Sequence, residues 1–378
     1  MSLLVDALAI VVGTAIVVAT TLSAVATLVV PRGVAARLTR IVFLVVRRAF
    51  DLRMKLARTY EQGESSMAWY APLSLLLLAA IWLALIGGGF TAIFFGLGTG
   101  SLVQSFEASA SSLTTLGFVG VDGFAQITAG AVCAALGLLL LALLISYLPT
   151  IYSSFQRREA LVTRAAMQAG SPPSGIELLV RFQRLSGLDE LAVNTWRPWT
   201  AGFVDIEESH TSIAALPFFR SPRPERHWLT AAAAVLDAAS LRASTIDLGR
   251  DLEGELTIRA GYLALRHIAD FFAIPYDPDP ARGDPISITR DEWEDARRQL
   301  AAEGVPLVDD VDEAWLDFAG WRVNYDAVLL SLSTLTMAPY APWSSDRGPA
   351  RRHHPPILGR RRTRRGAETG EGRGTIEP

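Results

Sequence analysis

The sequence predicts an α-helical membrane protein with three transmembrane helices, a re-entrant loop between the second and the third, and a mainly α-helical cytoplasmic domain. Three observations predict it. Half of the 378 residues are apolar, and they are concentrated before residue 152. Three of the apolar runs, residues 3–30, 68–95 and 124–152, exceed the roughly 20 residues needed to cross a hydrocarbon core at helical rise. Beyond them the chain turns charged, and its apolar residues recur at helical spacing. The organisation read from this is an N-terminal span (1–30), a basic segment (31–67), a two-span module (68–152), a helical domain (156–345) and a basic tail (346–378).

The first run carries one charge, Asp6, and the other two carry none. A secretory signal would have a shorter apolar run and a basic stretch before it, so the first run reads as an anchor. Between residues 31 and 67 lie Arg32, Arg37, Arg40, Arg47, Arg48, Arg53, Lys55 and Arg58 against Asp51, Glu61 and Glu64. Residues 96–123 hold no basic residue, whereas Arg157, Arg158 and Arg164 follow the third run. Basic residues near span ends stay on the cytoplasmic side. The pattern therefore predicts a multi-pass protein of the plasma (inner) membrane, with its N-terminus outside and its C-terminal domain in the cytoplasm. The basic segment alternates arginines with Ile41, Phe43, Leu44, Val46 and Phe50. It reads either as an interfacial helix near anionic headgroups or as a cytoplasmic extension of the first span.

The loop at 101–123, SLVQSFEASASSLTTLGFVGVDG, is too polar to span and sits between two spans. Irregular backbone at membrane depth is tolerated only where protein buries it or where it lines a water-filled path. A short helix entering the membrane, followed by a strand that returns outward, satisfies that constraint. The helix would point its partly negative C-terminal end inward and favour a cation there.

At Thr114, Thr115, Leu116, Gly117 and Phe118 the order of span, short helix, TTLGF and span resembles the pore module of the potassium channel family. The resemblance covers residues 68–152. It implies a re-entrant pore loop, a homotetramer around one axis, and K+ as the transported ion with no cofactor. It also implies roles residue by residue. Thr115 would offer hydroxyl and carbonyl at the inner end of a selectivity filter, and Leu116, Gly117 and Phe118 carbonyls further out. Thr114 would stand just before the filter, and Ser112 takes the place of a hydroxyl residue frequent at the end of the pore helix.

Val119 departs from the family pattern, which has a second glycine there. A carbonyl aimed at the axis needs backbone angles that cost a β-branched residue heavily. Three outcomes stay open: fewer ordered ion positions, an outer turn rebuilt around Gly120, or a pore fold that does not conduct. The last is the alternative function, a membrane-anchored signalling or interaction protein. Within the third run Gly137 and Pro149 are candidate gating hinges. Close helix packing is the competing role for Gly137, while Pro149 removes a helical hydrogen bond.

The remaining motifs are weaker. GLGTG at 96–100 follows a span rather than a strand, so it reads as a turn, not a nucleotide loop. Residues 156–345 hold 28 acidic and 18 basic residues, with helices expected at 156–168, 175–185, 226–241, 255–273, 289–302 and 311–333. Thr289 and Glu292 form a capping box. Asp205, Glu207, Glu208 and His210 read as the solvated face of a polar loop rather than a metal site. His227 and His267 read as core or surface histidines, and Trp196, Trp199, Trp228, Trp293, Trp315 and Trp321 as core and interface aromatics. No nucleophile, base and orienting group can be assembled, so no enzyme is expected. The lone Cys133 excludes a disulfide framework. Anionic lipids are expected partners of residues 32–58 and of residues 351–365 in a disordered tail, and no nucleic acid is expected.

Overall fold

The computed structural model describes residues 3–30, 37–56 and 69–347. The basic tail, including residues 351–365, and most of the 31–67 segment outside 37–56 lie beyond the described residues. Twelve α-helices follow one another among the described residues, and the only β pairing among them is a single antiparallel bridge between Ile246 and Leu307. Three of the helices are long and apolar enough to cross a membrane: α1 (Leu3–Leu28), α3 (Tyr70–Gly96) and α5 (Phe124–Ala169).

Helices α1 and α3 lie antiparallel. Gly96 meets Asp6 and Ile10, Gly89 meets Gly13 and Val17, and Trp82 Nε1 donates to Ser23 Oγ at 3.4 Å. A Cβ added at Gly13 would overlap the Gly89 carbonyl oxygen, and one added at Gly96 would lie 2.5 Å from the Asp6 carbonyl oxygen. Small residues therefore bring the two backbones together, which is how apolar helices gain contact where lipid is as apolar as leucine. Gln126 near the start of α5 donates to the Leu97 carbonyl at 2.8 Å, so α3 and α5 are antiparallel too. The start of α1, the end of α3 and the start of α5 share one end of the bundle, as an alternating three-span path requires.

Helix α2 (Arg37–Leu56) is a separate element rather than a continuation of α1, which stops at Leu28. Val42, Val46 and Phe50, one turn apart, are its buried stripe, while Ile41, Val45 and Arg48 are exposed. Helix α5 differs from expectation in the other direction. It runs unbroken for 46 residues through Pro149 and through residues 156–168, about 70 Å at helical rise. Arg157 and Arg158 end the apolar run without ending the helix, because charged residues are as helix-compatible as apolar ones.

The domain is built around α8 (Trp228–Ser244), which is buried at every position except Ala243. Around it pack α6 (Gly175–Leu185), α9 (Leu252–Phe271), α11 (Val311–Arg322), α12 (Asp326–Thr336) and the end of α5; α7 (Arg197–Ser212) packs on α9 and α5 and reaches α8 through His210 and Trp228, and α10 (Arg290–Ala302) packs on α6. The capping box of α10 forms as the sequence indicates, with Glu292 N bonded to Thr289 Oγ1 at 3.3 Å and Thr289 N to Glu292 Oε2 at 2.9 Å. The helix expected over 311–333 is instead two, broken at Val323–Tyr325 so that Asp326 turns back onto Arg322.

Helix α7 corrects the reading of 205–210 as a polar loop. Trp199, Phe203, Ile206 and His210 recur at helical spacing and form its buried face. Asp205 pairs with Arg157 at 3.1 Å and Glu207 with His267 at 2.7 Å, while His210 faces the interior. The cluster is thus drawn to different partners, and no group of three metal-ligating side chains occurs among the described residues.

Candidate functional site: the loop between α3 and α5

The chain leaves α3 through Gly98 and Gly100, whose φ of 78° and 125° make the reversal a glycine turn. Ser101 then caps α4 (Leu102–Leu113), accepting from Gln104 N at 3.3 Å while Gln104 Oε1 accepts from Ser101 N at 2.8 Å. The start of α4 is at the shared end of the bundle and its C-terminus is inside it. Ser109 Oγ donates to the Gly87 carbonyl at 2.8 Å, nine residues from the end of α3. A Cβ at Gly137, thirteen residues into α5, would overlap the Leu113 carbonyl. Gly130 lies 3.2 Å, from its added Cβ, to Ser112 Oγ. Glycines on both neighbours thus admit α4 between α3 and α5, and the close approach of Leu113 explains the glycine at 137. Pro149 is exposed on α5, far from this contact.

After Leu113 the backbone alternates. Thr115 has φ of 57° and Gly117 69°, with Leu116 between them outside the left-handed region. Thr114 Oγ1 donates to the Ala110 carbonyl and Thr115 Oγ1 to the Thr114 carbonyl, both at 2.7 Å. Thr115 N donates to Ser112 O at 3.0 Å and Gly117 N to Ser111 O at 3.4 Å. Among the described residues, the carbonyl oxygens of Thr115, Leu116, Gly117 and Phe118 accept no hydrogen bond. Thr114 to Phe118 are all exposed in the single subunit, with Leu116 at 73% and Phe118 at 59%.

Val119 stands apart from them. Its φ is not in the left-handed region, and its side chain is half-buried against the cluster that holds Phe90, Phe94, Ala108 and Cys133. Ser111, itself buried on α4, accepts from Val119 N at 3.0 Å. The glycine requirement inferred from the sequence does not apply to the conformation this residue adopts. Sequence reading singled out Val119 and passed over Ser111, which looks like one more small polar residue in SASASS.

A second region joins the two halves. Phe218, in the turn after α7, sits among Tyr70 of α3 at 5.6 Å, Phe43 of α2 at 6.5 Å and Phe272 after α9 at 5.6 Å. Arg158 of α5, 2% exposed, donates to the carbonyls of Leu216 and Phe219 at 2.9 and 2.8 Å. Arg47 of α2 donates to the Leu335 carbonyl at the end of α12 at 2.7 Å. Helices α2, α3 and α5 therefore touch the domain through side chains, and sequence reading found none of these contacts because they link residues up to 288 positions apart. Comparison with family models, with curated proteins and with solved structures finds no match to this chain.

Proposed function

We propose that the chain is one subunit of a homotetrameric potassium-conducting pore of the plasma membrane, whose opening is biased by the helical domain. The observation that carries the reading is the row of four unbonded carbonyls at Thr115–Phe118. The row follows closely on Leu113, whose carbonyl meets α5 at Gly137, thirteen residues from the start of that helix. Unpaired carbonyls cannot face hydrocarbon, where each costs several kcal/mol. Copies of the same loop around a shared axis resolve this. The carbonyls then line a water-connected path, and a cation that sheds water there finds oxygen in its place. Such a loop would be the re-entrant pore loop, and the inward-pointing end of α4 would add a partly negative potential. Carbonyls rather than carboxylates favour K+ as the transported species, with no cofactor.

The outward face of α5 supports the same reading. Thr128, Ala131, Ala135, Ala142, Ser146, Thr150 and Ser153 are exposed, small or hydroxylated, and fall on one helical stripe together with the exposed Val132 and Leu139. Thr128 and Thr150 return their hydroxyls to the Phe124 and Ser146 carbonyls at 2.7 and 3.2 Å, so the stripe is mild toward either water or another helix. Below the pore, the unbroken α5 and the Phe218 turn give the domain mechanical access to the gate region around Pro149. The arginine asymmetry orients the N-terminus outward, the domain into the cytoplasm and the α2 arginines toward anionic headgroups.

The second reading, a non-conducting membrane-anchored signalling protein, is favoured by the inward-turned Val119, which leaves the row one carbonyl shorter than a longer filter would have. Potassium and sodium flux into liposomes holding the purified protein separates the two. Potassium-selective flux that is lost in Gly117→Trp, with the tetramer intact, is the expected result. Absence of flux in the wild type overturns the pore and moves the function to the domain.

A further inference from the structure

Ser111 is the residue on which the outer end of the loop hangs. Ser111 is 1% exposed, and its hydroxyl lies between the N–H of Val119, 3.0 Å away, and the carbonyl of the same residue, 3.4 Å away. Its own carbonyl accepts from Gly117 N at 3.4 Å. One residue of α4 therefore holds two alternate N–H groups of the returning strand, Gly117 and Val119. Tying alternate amides to one side of a strand leaves the intervening carbonyls to the other side. Leu116 and Phe118, the residues before and between the tied amides, are exposed and have unbonded carbonyls, as do their neighbours Thr115 and Gly117.

We propose that Ser111 is a positioning residue of the ion path: its hydroxyl fixes Val119 against the helix cluster and makes the Phe118 carbonyl the outermost of the row. This rests on the pore reading and deepens it. The geometry also alters what Val119 is expected to do. With its φ outside the left-handed region and its side chain packed against the cluster that includes Ala108 and Phe94, valine serves here as a post that keeps the strand from sliding outward. A glycine at 119 would free the strand rather than complete it.

Other features of α4 are consistent with a rigid support behind the strand. Ser109 is tied to Gly87, Ala108 is fully buried, and Cys133 Sγ approaches the Ser109 carbonyl at 3.8 Å. The support does not depend on Ser111, so removing its hydroxyl tests the strand alone. Loss of one buried hydrogen bond is worth about a tenfold change in local opening.

The test uses the full chain in liposomes, comparing wild type, Ser111→Ala, Ser111→Thr and Val119→Gly. Two quantities are read: amide hydrogen exchange over residues 114–121, and the K+ to Na+ flux ratio. The expected result is that exchange at Val119 rises about tenfold in Ser111→Ala and stays slow in Ser111→Thr, with the flux ratio lowered only in the former. Val119→Gly is expected to lower the ratio as well. Unchanged exchange at Val119 in Ser111→Ala overturns the hydrogen bond. Faster exchange with an unchanged flux ratio overturns the positioning role. A wild type without flux overturns the pore reading and the proposal's claim on the ion path together, whereas flux with the first or second failure leaves the pore reading standing.

Discussion

Helices α1 and α8 are both apolar, yet α8 hides every residue but Ala243 while α1 hides only Gly13, Val17, Thr20 and Ala24. The difference is the solvent each sequence is written for. Around α8 the neighbours are other helices of the domain, and burial from water is the driving term. Around α1 the neighbour on most sides is lipid, so contact is gained only where glycines let backbones meet. The domain can therefore afford a charge in its centre if the charge is fully paired, and the bundle carries none at its own centre. Asp237 on α8 accepts from Tyr325 OH at 2.9 Å and pairs with Arg322, which also donates to Asp326 Oδ1 at 2.8 Å. Burial works against the Arg322 charge, and the Asp237 and Asp326 carboxylates outweigh it, so its proton is held more tightly than in water.

The largest effect should come from breaking that network. Asp237→Ala leaves the buried Arg322 guanidinium with Asp326 as its one carboxylate, beside the Trp343 carbonyl, and unpairing a buried charge costs about 3–5 kcal/mol. Denaturant unfolding in detergent, followed through the domain tryptophans, should show the loss there while the helical signal of the bundle persists. A change under about 1 kcal/mol would mean that the network is not what unifies the domain core. The matching break in the bundle is Gly13→Leu, which forces α1 off the Gly89 carbonyl. Overpacking of this kind costs about 1–3 kcal/mol, and here it should lower the resistance of the bundle to denaturing detergent without moving the domain transition.

The join between the regions gives a smaller and more local prediction. Phe218 is only half-buried, so Phe218→Ala removes ring pairs worth about 0.5–1.5 kcal/mol each rather than a core anchor. Spin labels at the exposed Val45 on α2 and Arg259 on α9 should report a broader distance distribution in the variant, with domain melting nearly unchanged. An unaltered distribution would assign the coupling to Arg158, Arg47 and the continuous α5 alone.

How much of this was legible depended on whether the signal was local. The three spans, α6, α8, α9, the Thr289–Glu292 cap and the TTLGF loop are written in runs and spacings of under 30 residues. Helix α7 is equally written, in Trp199, Phe203, Ile206 and His210 behind a proline at the first turn, but the acidic residues between them read locally as a polar loop. The break at Val323–Tyr325 carries neither proline nor glycine; it follows from Asp326 meeting Arg322 and Ser287 in space. Asp237 did leave a trace, as the one charge in the apolar run 228–241, and a lone charge there implies a partner without naming it. Ser111 left none, because a hydroxyl eight residues from its partner in a serine-rich helix looks like its neighbours.

The smallest effect concerns acid, and it should separate the regions by pH. Glu292 is held at about 2, against an ordinary 4.5, chiefly by hydrogen bonding to Arg347 and also by the Thr289 backbone and hydroxyl. Because the folded value is the lower one, this carboxylate stabilises the domain above about pH 4.5 and ceases to as the pH falls toward 2. With the Glu292 side chain 37% exposed, water screens the pair and the contribution should stay under about 1 kcal/mol. His210 and His227, buried and held neutral well below 6.5 by burial first and neighbouring arginines second, add acid sensitivity from about pH 6.5 downward. The described part of the bundle has few such groups, so acid should loosen the domain while the bundle holds. Unfolding free energies from pH 6 to pH 2 should fall less steeply below pH 4.5 in Arg347→Gln than in wild type. Equal slopes would mean that the Arg347–Glu292 pair exchanges freely with water and that the domain's acid response belongs to its buried histidines.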